Sequence, residues 1–149
     1  MWKQNKRKII ISSLITLLPM VFGFIFWKEL PEQMATHWGI DGTADGQSSA
    51  AFAVFGLPLI LLASNWFCLF FTSFDKKNQE QNPKAFGIIF WIIPIISLFS
   101  NGVIYATAFG KQLDIFLLTP ILFGLMFIFI GNYLPKCKQN YTMGIKLPW

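Results

Sequence analysis

The chain has 149 residues, of which 54% are hydrophobic and only 13% charged, a balance that excludes a disordered or strongly solvated segment. Its formal net charge is +5, yet no basic patch with interleaved aromatics occurs, so direct nucleic-acid binding is not expected. With one histidine, no H-E-x-x-H motif can be written, and two cysteines without a C-x-x-C pair leave a thiolate metal site without ligands.

Four apolar runs, residues 9–27, 51–74, 86–110 and 113–134, contain no Asp, Glu, Lys or Arg apart from Asp114. A bilayer core is about 30 Å thick and a helix rises about 1.5 Å per residue, so about 20 uncharged residues span it. Helices are the spanning element expected here, because each backbone N–H and C=O finds its partner within the segment. The predicted fold is therefore all-α, a polytopic membrane protein of four transmembrane helices.

The amino terminus carries Lys3, Lys6, Arg7 and Lys8 ahead of the first run. This run exceeds the h-region of a signal peptide, and no small-x-small cleavage site lies between Trp27 and Pro31, so it is expected to remain as the first span. The segment 28–50 that follows has few cations but contains the only histidine and four of the seven acids. Two Asp-Gly pairs, Asp41-Gly42 and Asp45-Gly46, mark turns, so a compact loop is expected. His37, Asp41 and Asp45 recur every four residues. The pattern of a calcium loop is nevertheless absent, and turn capping by the aspartates with Trp38 anchoring at the interface explains the composition without a metal.

Beyond the second run, Lys76, Lys77 and Lys84 make a basic connection, Lys111 alone joins the third and fourth runs, and Lys136, Lys138 and Lys146 follow the last. Basic and cation-poor segments alternate strictly. The positive-inside rule then puts both termini and the segment 75–85 in the cytoplasm, with an extracellular loop at 28–50 and an outer turn at Lys111 and Gln112. The bilayer is the first partner implied. On this topology Cys68 and Cys137 both fall outside the oxidising compartment, so no disulfide is expected and Cys68 is assigned to packing.

No titratable side chain lies at mid-membrane. The deepest polar groups are Ser12, Ser13, Thr16, Ser64, Asn65, Ser97, Ser100, Asn101, Thr119 and Asn132, whose expected role is hydrogen bonding between helices at about 0.6 kcal/mol each. A substrate path lined by Asn65 and Asn101 is the sharper alternative, as in a small transporter. Each span carries one proline, Pro19, Pro58, Pro94 or Pro120, and each is expected to kink its helix. Gly124 and Gly131 fall on one face of the fourth, where backbones would approach closely. Lacking a nucleophile paired with a base, a metal motif and a phosphate loop, the chain is not expected to be an enzyme or to hold a cofactor.

After the first span, Leu30-Pro31 leads to Thr36-His37-Trp38 and then to Gly42-x-x-Asp45-Gly46. This pattern resembles the amino-terminal domain that precedes the SdpI domain in a family of bacterial membrane proteins, with Ala35 and Ala50 replacing a usual proline and a common lysine. The stretch from Gly131 and Asn132 through Pro135-Lys136-x-Lys138-x-Asn140 to Gly144-Ile145-Lys146-x-Pro148-Trp149 resembles the signature of the SdpI domain itself. On that resemblance, residues 1–110 form an amino-terminal membrane domain and 111–149 a partial SdpI-like segment. Family members usually continue past the Pro-Trp pair into two further spans, so a short member or a fragment is expected.

The resemblance implies a multi-pass immunity protein of the bacterial plasma membrane that protects against a secreted peptide toxin or bacteriocin. Its second implication is signalling, in which the protein holds a cytoplasmic repressor at the membrane. The loop residues His37, Trp38, Asp41, Gly42, Asp45 and Gly46 and the tail residues from Asn132 to Trp149 would be the site. So small a chain buries little surface within itself, which leaves a homo-oligomer open.

Overall fold

The computed structural model describes residues 2–76, 80 and 87–133. Helix α1 spans Lys6–Ile25 and is followed by a short 3₁₀ turn at Trp27–Glu29. Two strands, β1 (Gln33–Trp38) and β2 (Ala44–Ser49), then form an antiparallel hairpin. A π-helical turn at Phe52–Gly56 opens helix α2 (Leu57–Thr72), and helices α3 (Ile89–Ala108) and α4 (Ile115–Tyr133) follow.

Among the described residues four helical segments are long and apolar enough to cross a membrane, Lys6–Ile25, Phe52–Thr72, Ile89–Ala108 and Ile115–Tyr133. Each lies inside one of the runs expected from sequence, apart from the basic first turn of α1. Asp114, the one charge within those runs, sits just ahead of α4, where its carboxyl oxygen accepts a hydrogen bond from the Leu117 N–H at 3.0 Å and caps the helix start. Large apolar side chains cover the outside: Phe24, Phe67, Phe127 and Ile128 are each more than 60% exposed. Exposure of that extent is tolerated where hydrocarbon, not water, is the solvent.

Helices α1, α2 and α3 pack together through small and polar residues. The buried positions of α1 are Ile9, Ser12, Thr16, Pro19 and Gly23, alternating three and four apart on one face. On α3 the corresponding stripe runs Phe90, Pro94, Ser97, Asn101, Ile104. In lipid, apolar side chains gain nothing by leaving the bilayer, so close approach of small residues and hydrogen bonds hold the helices together. Ser97 Oγ donates to the Thr16 carbonyl at 2.8 Å and Tyr105 Oη to the Pro19 carbonyl at 2.8 Å, both across the α1–α3 contact. Apolar layers close this polar centre at either end, Ile9, Leu69 and Phe90 at one, and Met34, Ala53, Val54, Ile104 and Tyr105 at the other.

The prolines act differently from one another. Pro19 and Pro94 lie within helices and are buried between them, but Pro58 sits in the first turn of α2, directly after the π-helical turn. A proline there has no N–H to offer the carbonyl four residues earlier, and a widened turn accommodates the lost bond. Gly56 belongs to the same device, since a Cβ at that position would lie 2.6 Å from the Phe52 ring. Cys68 is exposed on the outside of α2, so the packing role expected for it is corrected. It is exposed although it lies three residues from buried Asn65 and next to buried Leu69, at the border of the packed face of α2.

Helix α4 stands at the margin of this bundle. Only 6% of its most apolar stretch is buried, against 39% for α3. Nothing approaches within 4 Å of where a Cβ would stand at Gly124 or Gly131, so these glycines mediate no close helix contact among the described residues.

Candidate functional site

The segment expected as a turn-rich loop is a β-hairpin lying over one end of the bundle. Met34 on β1 anchors it, being 1% exposed and packed among Ala53, Val54, Ile104 and Tyr105. Trp38 packs partly buried on the same cluster, and Thr36 and Ser48 share a hydroxyl hydrogen bond at 2.8 Å across the strands. Gly39 and Gly42 close the tip. The Gly42 N–H donates to the Gly39 carbonyl at 3.0 Å, and Gly42 adopts a φ of 79°, the left-handed conformation that glycine tolerates at the end of such a turn.

Asp41 caps this tip, its Oδ1 accepting from the Thr43 hydroxyl at 2.8 Å and the Thr43 N–H at 3.1 Å. Those two bonds, the hydroxyl's first, hold the Asp41 carboxyl below its ordinary range. Turn capping, the plain expectation for this residue, is what the geometry contains. His37 and Asp45 face each other across the strands, with Nδ1 donating to Oδ1 at 2.5 Å, and both side chains are largely exposed. Gly46 lies against His37: a Cβ there would be 2.8 Å from the His37 Cβ. So Asp45-Gly46, read from sequence as a turn, is strand, and its glycine makes room for the histidine. Among the described residues no group of three His, Cys, Asp or Glu side chains is placed to hold a metal ion.

Beneath the hairpin a groove of about 860 Å³ runs between α3 and α4. The β1 edge from Thr36 to Ile40 forms its mouth, and Phe99, Val103, Phe116 and Phe123 are among its apolar walls. Ser100 and Thr119 are polar points on opposite walls, one from each helix. Ser100 Oγ is engaged with its own helix through the Ile96 carbonyl at 2.8 Å, leaving its acceptor capacity toward the groove. Neither Ser100 nor Thr119 was distinguished from the other intramembrane hydroxyls by sequence; the hairpin's position over them is what sets them apart.

Asn65 and Asn101 do not line this groove. Both are buried in the bundle, Asn65 Nδ2 lying 3.5 Å from Ser12 Oγ and Asn101 Nδ2 donating to the Ser97 carbonyl at 2.9 Å. Their Oδ1 atoms have no hydrogen-bond partner among the described residues. Of the tail residues, Asn132 lies exposed near the end of α4, whereas Pro135, Lys136, Lys138, Asn140, Gly144, Ile145, Lys146, Pro148 and Trp149 lie outside the described residues.

Residues 14–62 match the family model described as "Domain of unknown function (DUF1648)". The matched stretch takes in most of α1, the whole hairpin, the π-helical turn and the start of α2. It is about a third of the chain and excludes the tail on which the likeness to the SdpI domain rests. No curated protein and no solved structure matches the chain.

Proposed function

We propose that this multi-pass membrane protein is a non-enzymatic immunity protein of the bacterial plasma membrane that binds a secreted, apolar or amphipathic peptide toxin in the groove beneath the hairpin. Both termini are cytoplasmic in this reading, and the hairpin faces outward. The observation that carries it is the groove itself, apolar along its walls, marked by Ser100 and Thr119, and bordered by an exposed strand edge that carries His37 and Trp38. A peptide leaving water for the membrane would meet the hairpin first and could extend from the strand edge into the helices, using backbone groups at the edge and apolar side chains below. The likeness of the His37-Trp38 loop and of the Gly131–Trp149 tail to the SdpI family supports the same reading. Asn65 and Asn101 are buried away from the groove, which withdraws the motivation for a transporter.

The test is survival of a sensitive strain expressing the full chain when challenged with a panel of secreted bacterial killing peptides. Protection that disappears in Thr119→Trp, with unchanged abundance in the membrane, is the expected result, because the indole would occupy the groove. No protection against any peptide, with membrane insertion established, would end the immunity reading.

A further inference from the structure

A second groove, of about 480 Å³, lies at the end of the bundle away from the hairpin, along the outward face of α1 beside Trp66 of α2. Its floor is Ile10, Leu14 and Leu17, spaced four and three apart on one helical face. Trp66 forms the side wall, fixed by its indole N–H donating to Ser13 Oγ at 3.1 Å. Where α1 begins, Trp2 turns back toward Trp66 until the two ring centroids are 6.1 Å apart, and Lys3 and Lys6 stand at the same mouth. Both lysines are exposed and make no ion pair among the described residues.

An apolar trough open to the side, ending in two exposed ammonium groups beside two indoles, matches a molecule with a hydrocarbon chain on a negatively charged head. Tryptophan is favoured at the depth where acyl chains meet headgroups, and lysine beside it attracts anionic lipid. We infer that this groove is a binding site for one anionic phospholipid, its phosphate held by Lys3 and Lys6 and an acyl chain lying over Leu14 against Trp66. Charge selects the occupant: a zwitterionic lipid fits the trough equally well but brings its own cation to the lysines. A free phosphate would satisfy the lysines but leave the trough unfilled. The site is at the opposite end of the molecule from the hairpin and does not depend on what the hairpin groove binds.

The full chain, purified in detergent containing phosphatidylcholine, is titrated with phosphatidylglycerol of the same acyl chains and the bound lipid counted by native mass spectrometry. Preferential retention of phosphatidylglycerol is expected. Each lysine near anionic headgroups is worth about fivefold in affinity, so Lys3→Gln with Lys6→Gln lowers it about 25-fold. Lys28→Gln with Lys111→Gln removes the same charge at the other end and leaves binding unchanged. Leu14→Trp, on a side chain 63% exposed and outside the packed core, fills the trough and weakens binding with both lysines intact. Wild-type retention in the Lys3 and Lys6 variant, an equal loss in the Lys28 and Lys111 variant, or no effect of Leu14→Trp would each overturn the site.

Discussion

The Tyr105 hydroxyl reaches the Pro19 carbonyl at 2.8 Å by passing over Gly23, where a Cβ would stand 2.5 Å from the Tyr105 Oη and 2.6 Å from Val54 Cγ1. One glycine thus lets α3 bond to α1 and lets the π-helical turn before α2 pack against both. Gly23→Ala must push two elements apart, an overpacking cost of about 1–3 kcal/mol. Tyr105→Phe removes only the hydroxyl, about 0.6 kcal/mol for an interhelical bond in a membrane. Unfolding of the two variants in mixed micelles should therefore rank Gly23→Ala well below Tyr105→Phe; the reverse order would show that the hydroxyl, not the close approach, holds this contact.

His37 and Trp38 are neighbours on β1 with opposite surroundings, and their substitutions should separate. Trp38 packs on the cluster around Met34, so Trp38→Ala opens a gap. Fully buried tryptophans lose about 3–5 kcal/mol on truncation, and a half-buried one is expected to lose about half that. The His37 side chain is 73% exposed, and its pairing with Asp45 is a surface contact worth under about 1 kcal/mol. His37→Ala is expected at normal abundance and near-normal stability, Trp38→Ala at reduced abundance. On the proposed immunity function, loss of protection in His37→Ala alone would then report recognition rather than folding.

The spans were legible because their determinants are local: length without charge fixes a membrane helix, and Asp114 interrupts the fourth run only where it becomes a cap. The hairpin was not. Ala44-Asp45-Gly46-Gln47-Ser48-Ser49 has little strand propensity, and β2 forms because β1 is anchored through Met34 and offers it a pairing edge. Asp45-Gly46 carries a turn signature, yet Gly46 is needed for the His37 contact, a relation across nine residues of sequence that no local pattern encodes. The groove is less legible still. Its two polar points come from different helices and become neighbours only when α4 returns beside α3.

The buried polar centre makes a sharper test of what holds the helices. Ser97 donates to Thr16 on the neighbouring helix, so Ser97→Ala should destabilise by about 0.6 kcal/mol. Asn101 bonds only within its own helix, and its Oδ1 is without a partner among the described residues. Replacing a buried amide that has an unsatisfied oxygen by an apolar group of the same branching removes a desolvation penalty, so Asn101→Leu should be neutral or stabilising where the larger side chain is accommodated. Thermal unfolding of both variants in one detergent checks the opposite signs. A loss in Asn101→Leu greater than that in Ser97→Ala would mean that the amide is required where it stands.

The hairpin tip should depend on pH through Asp41. Its carboxyl titrates below its ordinary range because the charged form accepts two bonds from Thr43, so the unfolded tip binds the proton more readily than the folded one. The contribution is therefore complete above the ordinary carboxylate value, about 3.9, and is lost as pH falls through the lower folded value. Exchange protection of the Thr43 amide, which donates to Asp41, follows this directly. It should hold at neutral pH and decline only at pH values below about 4. Asp41→Asn keeps an acceptor oxygen without the titration, so protection in that variant should become flat with pH. A decline that persists unchanged in Asp41→Asn would show that the Asp41 carboxyl does not carry the effect.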